Sequence, residues 1–408
     1  MLIKREQYLE KIRTFYDSNL IKVLTGVRRC GKSILLSQIQ EEIAETKGLD
    51  ESHIIYINFE DLAFSSLHSC KKLNAYILKR IEDKEKYYIF LDEIQHVKEF
   101  EKVLSSLKAT QNVSIFVTGS NSKLLSGRLA SLLVGRCKEF KIMPFSYSEF
   151  LSFYKENGVN LPEKPLQNYL RFGGMPQRMD YSSEEDIKDY LKALYEGIID
   201  KDICNSKSKI NKETFLRIAQ YVIMNAGKEF SPTGIVASYN EANSDETIFK
   251  ENVYRYLEKL EQACLINRVK RYSIPSKRTL RKSEKQYAID NGFFLACAPT
   301  NQVFVSRLLE NAVYNELIYR GYDVKIGKTY KGEIDFVVMK DAKKCFVQVA
   351  YLLADESVIE REFGAYSSVR DSSPKYVLSL DGFDFSKDGI IHLNVEDFLL
   401  GKVELQLN

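Results

Sequence analysis

Residues 26 to 33 read Gly26-Val27-Arg28-Arg29-Cys30-Gly31-Lys32-Ser33. The spacing G-x-x-x-x-G-K-S demands a tight curl of backbone between a strand and a helix. Before it, Leu20-Ile21-Lys22-Val23-Leu24-Thr25 is apolar and β-rich and reads as the strand. After it, Ile34, Leu35, Leu36, Ile39 and Ile43 recur at roughly helical spacing up to Ala44. Strand, glycine loop and helix in that order commit this part of the chain to an α/β fold built on a parallel sheet.

A loop of this kind turns its N–H groups inward and cradles a phosphate chain. Gly26 and Gly31 permit backbone angles that a side chain forbids. Lys32 would reach the β- and γ-phosphates, and the Ser33 hydroxyl would ligate Mg²⁺. The helix opening near Lys32 would aim its positive dipole end at the same anion. The expected nucleotide-binding set is Gly26, Val27, Arg28, Arg29, Cys30, Gly31, Lys32, Ser33 and Ile34. Nothing in the chain resembles a guanine-reading Asn-Lys-x-Asp motif, so the expected ligands are ATP or ADP with Mg²⁺.

Two more strands end in chemistry. Tyr87-Tyr88-Ile89-Phe90-Leu91 is a buried-strand run closed by Asp92-Glu93. Paired carboxylates at the end of a buried strand are costly without a cation or donor. Asp92 would hold Mg²⁺, usually through water, and Glu93 would polarise the attacking water. Val113-Ser114-Ile115-Phe116-Val117-Thr118 ends in Gly119-Ser120-Asn121, where Ser120 or Asn121 would touch the γ-phosphate or orient the water. Gly135-Arg136 precedes Phe140-Lys141-Ile142-Met143. Arg136 is the candidate arginine finger for a neighbouring subunit's site, with Arg128 as competitor. That role implies a homo-oligomer.

Strands are expected at about 20–25, 53–59, 87–91, 113–118 and 139–143, with helices on both faces of the sheet. From Pro144 the pattern turns helical. Ser146 and Glu149 form a candidate capping box, and Gly173-Gly174 with Pro176 would end a later helix. This stretch is expected to be a helical lid. Residues 210 to 270 read as several helices, with Ser231 capping one and Val253, Tyr256, Leu257 and Leu260 on the face of another. A basic hairpin-like stretch follows. Residues 265 to 285 carry eight basic side chains, Arg268, Lys270, Arg271, Lys277, Arg278, Arg281, Lys282 and Lys285, against the single acid Glu284. Helices plus a basic wing suggest a winged-helix module whose partner is DNA or a protein.

The last segment has its own constellation. Glu310 falls on a helix from Ser306 to Tyr319, and Asp335 on a strand from Gly332 to Val338. Gln348 falls on a strand from Lys344 to Ala350. Helix glutamate, strand aspartate and a third polar position follow the layout of PD-(D/E)xK nucleases, in which carboxylates gather Mg²⁺ and a lysine assists water. Here the Glu-x-Lys element reads Gln348-Val349-Ala350. The chain retains Glu310 and Asp335, with Glu333 nearby, and lacks the lysine at that place. The expectation is a restriction-endonuclease-like α/β fold with lost or altered chemistry.

Composition is that of an ordinary globular chain: 408 residues, 44% hydrophobic, 28% charged, net charge +3. The small net charge does not by itself argue for nucleic acid. No run approaches the 18 or so apolar residues of a membrane span. The start, Met1-Leu2-Ile3-Lys4-Arg5-Glu6, lacks an apolar signal region. Seven scattered cysteines without a C-x-x-C pair suit a reducing cytoplasm, and the four histidines show no metal spacing. Cys30 within the loop is either oxidant-sensitive or a small filler.

At full length the chain resembles the bacterial AAA-type proteins classed as predicted AAA+ superfamily ATPases. The matching pieces are Gly26 to Ser33, Ile89 to Gln95, Thr118 to Ser122, Gly135-Arg136, Met143 to Ser146, Gly173 to Pro176 and Gly332 to Phe336. The resemblance implies ATP binding and hydrolysis, a winged-helix middle and a nuclease-like end, with no settled biological role. The expected divisions are an ATPase core at 1–143, a lid at 144–205, a winged-helix-like domain at 206–290 and a nuclease-like domain at 291–408. Three functions stay open: an ATPase switch acting on DNA or protein, an ATP-controlled nuclease, and a nucleotide-bound regulator with negligible turnover.

Overall fold

The computed structural model describes residues 3–119, 135–204, 210–242, 247–298, 305–330 and 332–408, with the side chains of 51 and 280–283 excepted. Ser120, Asn121, Ser122 and Arg128 lie outside the described residues. The chain divides into two compact units, Met1–Met143 with Gln262–Cys264, and Pro144–Glu261 with Leu265–Asn408. Among the described residues no helix is long and apolar enough to cross a membrane.

The first unit is a five-stranded parallel sheet. Its strands are β1 (Ile21–Thr25), β2 (Ile54–Asn58), β3 (Tyr87–Asp92), β4 (Val113–Gly119) and β5 (Cys137–Lys141), in the order β2-β3-β4-β1-β5. The three central strands β1, β3 and β4 are buried along their whole length. Their continuous apolar reading is what a parallel strand covered on both faces requires. The edge strands β2 and β5 are only partly buried.

One face packs Val23, Ile57, Ile89 and Val117 against Leu73 and Ile77 of helix α3 (Cys70–Leu78) and Val103 and Leu107 of helix α4 (Phe100–Thr110). Helix α2 (Lys32–Lys47) packs along β3 and β4 through another set of side chains. The last strand begins earlier than the sequence suggests. Ile142 and Met143 have left the strand, although the Ile142 N–H still bonds to the Thr25 carbonyl at 2.7 Å.

A helix α1 (Glu6–Arg13) precedes the sheet and buries Tyr8, Leu9 and Ile12. Arg5, just before it, is also buried. Its guanidinium donates to the carbonyls of Met143 at 2.9 Å and Cys30 at 3.3 Å.

The second unit opens with three helices, Tyr147–Glu156, Pro165–Phe172 and Glu184–Ile198. The Ser146–Glu149 capping box is present. Helix Pro165–Phe172 ends at Gly173, whose φ is +72°. A methyl group at Gly173 would lie 1.8 Å from Oδ1 of Asp290. Asp290 in turn accepts N–H bonds from Gly174 at 2.6 Å and Gly292 at 2.8 Å. Burial pushes its carboxyl up to about 6, against the pull of those two N–H groups.

Helices Lys212–Met224, Pro232–Ala242 and Lys250–Gln262 follow. Ser231 caps the second through the Gly234 N–H at 3.1 Å. Next comes an antiparallel hairpin of β6 (Ile266–Ser273) and β7 (Arg278–Ala288). After helix Val305–Tyr319 come β8 (Asp323–Lys328), β9 (Glu333–Lys340), β10 (Lys343–Val349), β11 (Lys375–Ser379) and β12 (Ile390–Asn394). The hairpin does not stand apart from them. β6 pairs with β8 through Arg271–Ser273, giving one seven-stranded sheet in the order β12-β11-β10-β9-β8-β6-β7.

Candidate functional site

The sheet order decides what meets at the phosphate loop. β4 lies between β1, which feeds the loop, and β3, which ends in the two acids. The end of β4 is therefore forced between Gly26–Ser33 and Asp92-Glu93.

The loop itself depends on missing side chains. A Cβ at Gly26 would stand 2.3 Å from the Ile142 carbonyl oxygen and 2.9 Å from Cys30 Sγ. Gly26 has φ +155°, Arg29 φ +66° and Gly31 φ +97°, so the curl uses positive-φ backbone three times. Cys30 is wholly buried and its thiol reaches the Ile142 carbonyl at 3.4 Å. Burial also pushes that thiol up, away from the reactive thiolate. The packing role is therefore the one the structure supports. Arg28 is half-buried, 3.4 Å from Glu60, while Arg29 and Ile34 are exposed.

Helix α2 starts at Lys32 with neither a side-chain cap nor an acid in its first turn. A helix N-terminus leaves its first N–H groups without intrahelical partners and carries partial positive charge. Lys32 is nearly fully buried beside it. Its ammonium donates to the carbonyls of Gly26 and Val27, both at 3.2 Å, and stands 4.0 Å from the Glu93 carboxylate.

Asp92 and Glu93 are both buried. Burial pushes the Asp92 carboxyl above its usual range, while hydrogen bonds from Thr118 and Ser33 pull the other way. Tyr56 also donates to Asp92 at 3.4 Å. Glu93 sits at φ +53°, and Gln95 donates to its carboxylate. The structure thus brings Lys32, Ser33, Asp92 and Glu93 together.

Thr118 is the residue that sequence reasoning passed over. Its hydroxyl donates to Asp92 and accepts the Glu93 N–H at 2.9 Å. The available signal was a threonine closing an otherwise apolar strand, just before Gly119. Arg5 was also missed; it fixes the back of the loop through the Cys30 carbonyl. Arg136 is exposed, and its carbonyl accepts the Ile21 N–H at 2.8 Å. That places it at the start of β1, the opposite end from the loop, and the structure does not bring it to Lys32.

The second unit holds another polar cluster. Ala350 is buried in the apolar core, so the place expected for a lysine is a packing position. Gln348 uses its carbonyl oxygen to accept the Asp335 N–H at 3.2 Å, and Asp335 accepts the Val349 N–H at 2.8 Å. A lysine arrives from a different strand. Lys285 of β7 is buried, pairs with Glu333 and lies 3.8 Å from Glu310. Tyr287 donates to Glu310 at 2.7 Å, and Arg271 bridges Glu333 at 2.9 Å and Glu229 at 3.2 Å.

Burial pushes both Glu310 and Asp335 up from the usual carboxylate range. Burial works to lower the Lys285 ammonium, but Glu310, Asp335 and Glu333 together raise it. Among the described residues no group of three His, Cys, Asp or Glu is placed to hold a metal ion. Glu310 and Glu333 are ion-paired with Lys285, and Glu333 also with Arg271.

The same network corrects the reading of residues 265–285 as one basic footprint. Arg268 is bound by Glu284 at 2.7 Å and lies 3.6 Å from Glu261, and Arg271 and Lys285 turn inward to acids. Lys270, Lys277 and Arg278 remain exposed, while the side chains of Arg281 and Lys282 lie outside the described residues.

Comparison with known proteins agrees with the first unit's geometry. Residues 18–151 match the family described as "AAA domain", and residues 163–303 match a domain of unknown function. An uncharacterized protein of Haemophilus influenzae is 32% identical over 406 residues, covering 98% of this chain and 99% of the relative. An uncharacterized protein of Methanocaldococcus jannaschii is 31% identical over 393 residues, covering 93% and 85%. Among solved structures, the Aeropyrum pernix ORC1 protein in complex with DNA aligns at TM-score 0.33 and 13% identity, covering 73% of this chain and 92% of that one. The chain belongs to the family of these Haemophilus and Methanocaldococcus proteins, and its first unit carries an AAA domain with the nucleotide-binding fold of AAA+ proteins.

Proposed function

We propose that the chain is a Mg²⁺-dependent ATPase switch, in which ATP turnover at Gly26–Ser33 drives a rearrangement of the second unit on DNA or a protein. One observation carries this reading. The buried Lys32 ammonium is held by two loop carbonyls at an uncapped helix N-terminus, within 4.0 Å of Glu93. A buried cation held only by neutral carbonyls and a nearby acid suits exchange onto an anion of higher charge.

The residues present fit the implied metal. Ser33 and Asp92 are hydrogen-bonded partners, and burial makes the Asp92 carboxyl a group that gains from a cation. Ser33 and Asp92 would hold Mg²⁺. Held there, Mg²⁺ would supply positive charge against the phosphate oxygens. Lys32 leaves the Gly26 and Val27 carbonyls for phosphate oxygens. Glu93, fixed through its N–H by Thr118, polarises the attacking water. Asn121 senses the γ-phosphate, and Arg136 serves a neighbouring copy's site. Together these residues position the reactants and neutralise charge, the main contributions to phosphoryl transfer.

The test is a turnover assay with Lys32→Ala, run with and without duplex DNA, single-stranded DNA and RNA. The switch reading expects loss of ATP binding or turnover in the variant. Wild-type levels of both in Lys32→Ala would sink it. Tight ADP binding with no steady-state hydrolysis by the wild type would favour the regulator reading. The ion-paired Lys285 network speaks against the nuclease reading, and Mg²⁺-dependent cutting abolished by Asp335→Ala would restore it. The seven unpaired thiols are in keeping with a cytoplasmic setting.

A further inference from the structure

Beside the turn of the β6–β7 hairpin lies a groove of about 700 Å³ that the ATPase reading does not use. Lys277 from the hairpin, Tyr330 from the β8–β9 turn and Arg370 from the segment after helix Glu356–Gly364 all line it. The three come from separate parts of the second unit. We propose that this groove binds single-stranded nucleic acid, with Lys277 and Arg370 on successive phosphates and Tyr330 stacked on a base.

Three observations support it. First, charge is free here and spent elsewhere. Arg268, Arg271 and Lys285 of the same hairpin are all paired with carboxylates. Lys277 and Arg370 carry no such pair among the described residues, and Lys270 and Arg278 add exposed cations on the same two strands. Second, the acid in the groove is already neutralised. Asp371 binds Lys344 at 2.6 Å and the Ser373 hydroxyl at 2.7 Å. Burial opposes that arrangement, yet the bonds hold its carboxyl down at about 2.

Third, Tyr330 is 84% exposed at the tip of a turn, where the Thr329 N–H bonds to the Gly332 carbonyl at 3.0 Å. An exposed aromatic ring lining the same groove as cations offers the stacking platform that single-strand binders use. A duplex hides its base faces, so the ring favours an unpaired strand.

The experiment is fluorescence anisotropy of a labelled 20-residue oligothymidylate with the full chain, across a salt series. Each phosphate contact on a single strand contributes about 0.7 to the log–log salt slope. The double variant Lys277→Glu/Arg370→Glu should bind at least tenfold more weakly and flatten the slope by about 1.4. Tyr330→Ala should weaken binding about tenfold at unchanged slope, and Tyr330→Phe should restore it. All these side chains are exposed, so melting temperatures should stay at the wild-type value. No wild-type binding at low salt would overturn the proposal, as would equal affinity in all variants. Free thymidine monophosphate competing as well as the strand would also overturn it, since the groove would then be a mononucleotide site. Lys32→Ala should bind the strand normally, which separates this proposal from the ATPase reading.

Discussion

The Thr118 hydroxyl accepts the Glu93 N–H at 2.9 Å and donates its own hydrogen bond to Asp92. One side chain on β4 thereby holds both the Asp92 carboxylate and the Glu93 backbone. The relationship exists because β4 lies between β1 and β3, so the end of β4 borders both the loop and the acids. Thr118→Val keeps the shape and removes both bonds. It leaves a buried N–H unpaired, at a cost of about 1–3 kcal/mol. Mg²⁺-dependent turnover should fall about 10- to 100-fold, with nucleotide binding in EDTA retained. Thr118→Ser should recover most of the rate. Equal rates in wild type and Thr118→Val would remove Thr118 from the machinery.

The two loop glycines should fail for different reasons. Gly26→Ala drives a methyl group to 2.3 Å from the Ile142 carbonyl oxygen, so backbone must move. Gly31→Ala meets nothing within 4 Å and suffers only from its φ of +97°. Strain of that second kind is worth about 1–2 kcal/mol. Denaturant titration should show Gly26→Ala as the more destabilised. Both should lose nucleotide affinity.

Lys22 on β1 is fully buried, with Ser114 Oγ as its hydrogen-bond acceptor and the Phe116 ring 4.4 Å from its ammonium. Burial lowers its pKa from 10.5 to about 7. A depressed folded-state pKa means the unfolded chain holds the proton more tightly. Stability therefore rises with pH between about 7 and 10.5, and below 7, where both states hold the proton, it no longer changes with this group. The span corresponds to about 5 kcal/mol. Lys22→Met should flatten that slope and raise stability at neutral pH. A wild-type melting temperature that does not respond differently from the variant across this window would refute the assignment.

Removing Lys285 leaves Glu310 without its cation and Glu333 with Arg271 alone. Loss of one partner from such a pair costs about 3–5 kcal/mol. Lys285→Met should lower the melting temperature markedly, and Lys285→Met/Glu333→Gln should recover part of the loss. Full stability of the single variant would show the network to be dispensable.

What the sequence made legible follows from what is local. The phosphate loop, the strand ending in Asp92-Glu93 and the Ser146–Glu149 capping box are contiguous patterns, and each reappears as a contiguous structure. Lys285 was read as surface charge because its acids stand 25 and 48 residues downstream, at Glu310 and Glu333. Thr118 and Arg5 gained meaning only from sheet order and from a helix packed behind the loop. Spacing along a chain does not encode which strand will lie beside which. The PD-(D/E)xK layout looks for its lysine on β10, where Ala350 stands, and spacing could not show that β7 brings Lys285 to the same acids.

β8 has β6 on one side and β9 on the other, so one hydrogen-bond ladder runs through the point where a linear reading divides the chain at 290. Cutting there would strip β8 of one neighbour and leave open N–H and C=O groups along both new edges. Neither the three-helix-and-hairpin segment nor the C-terminal strands can be exchanged between proteins as a free-standing cassette. Recombination that respects this sheet must carry both pieces in a single transfer, and a fragment made by stopping at 290 is expected to aggregate rather than to report what the hairpin binds.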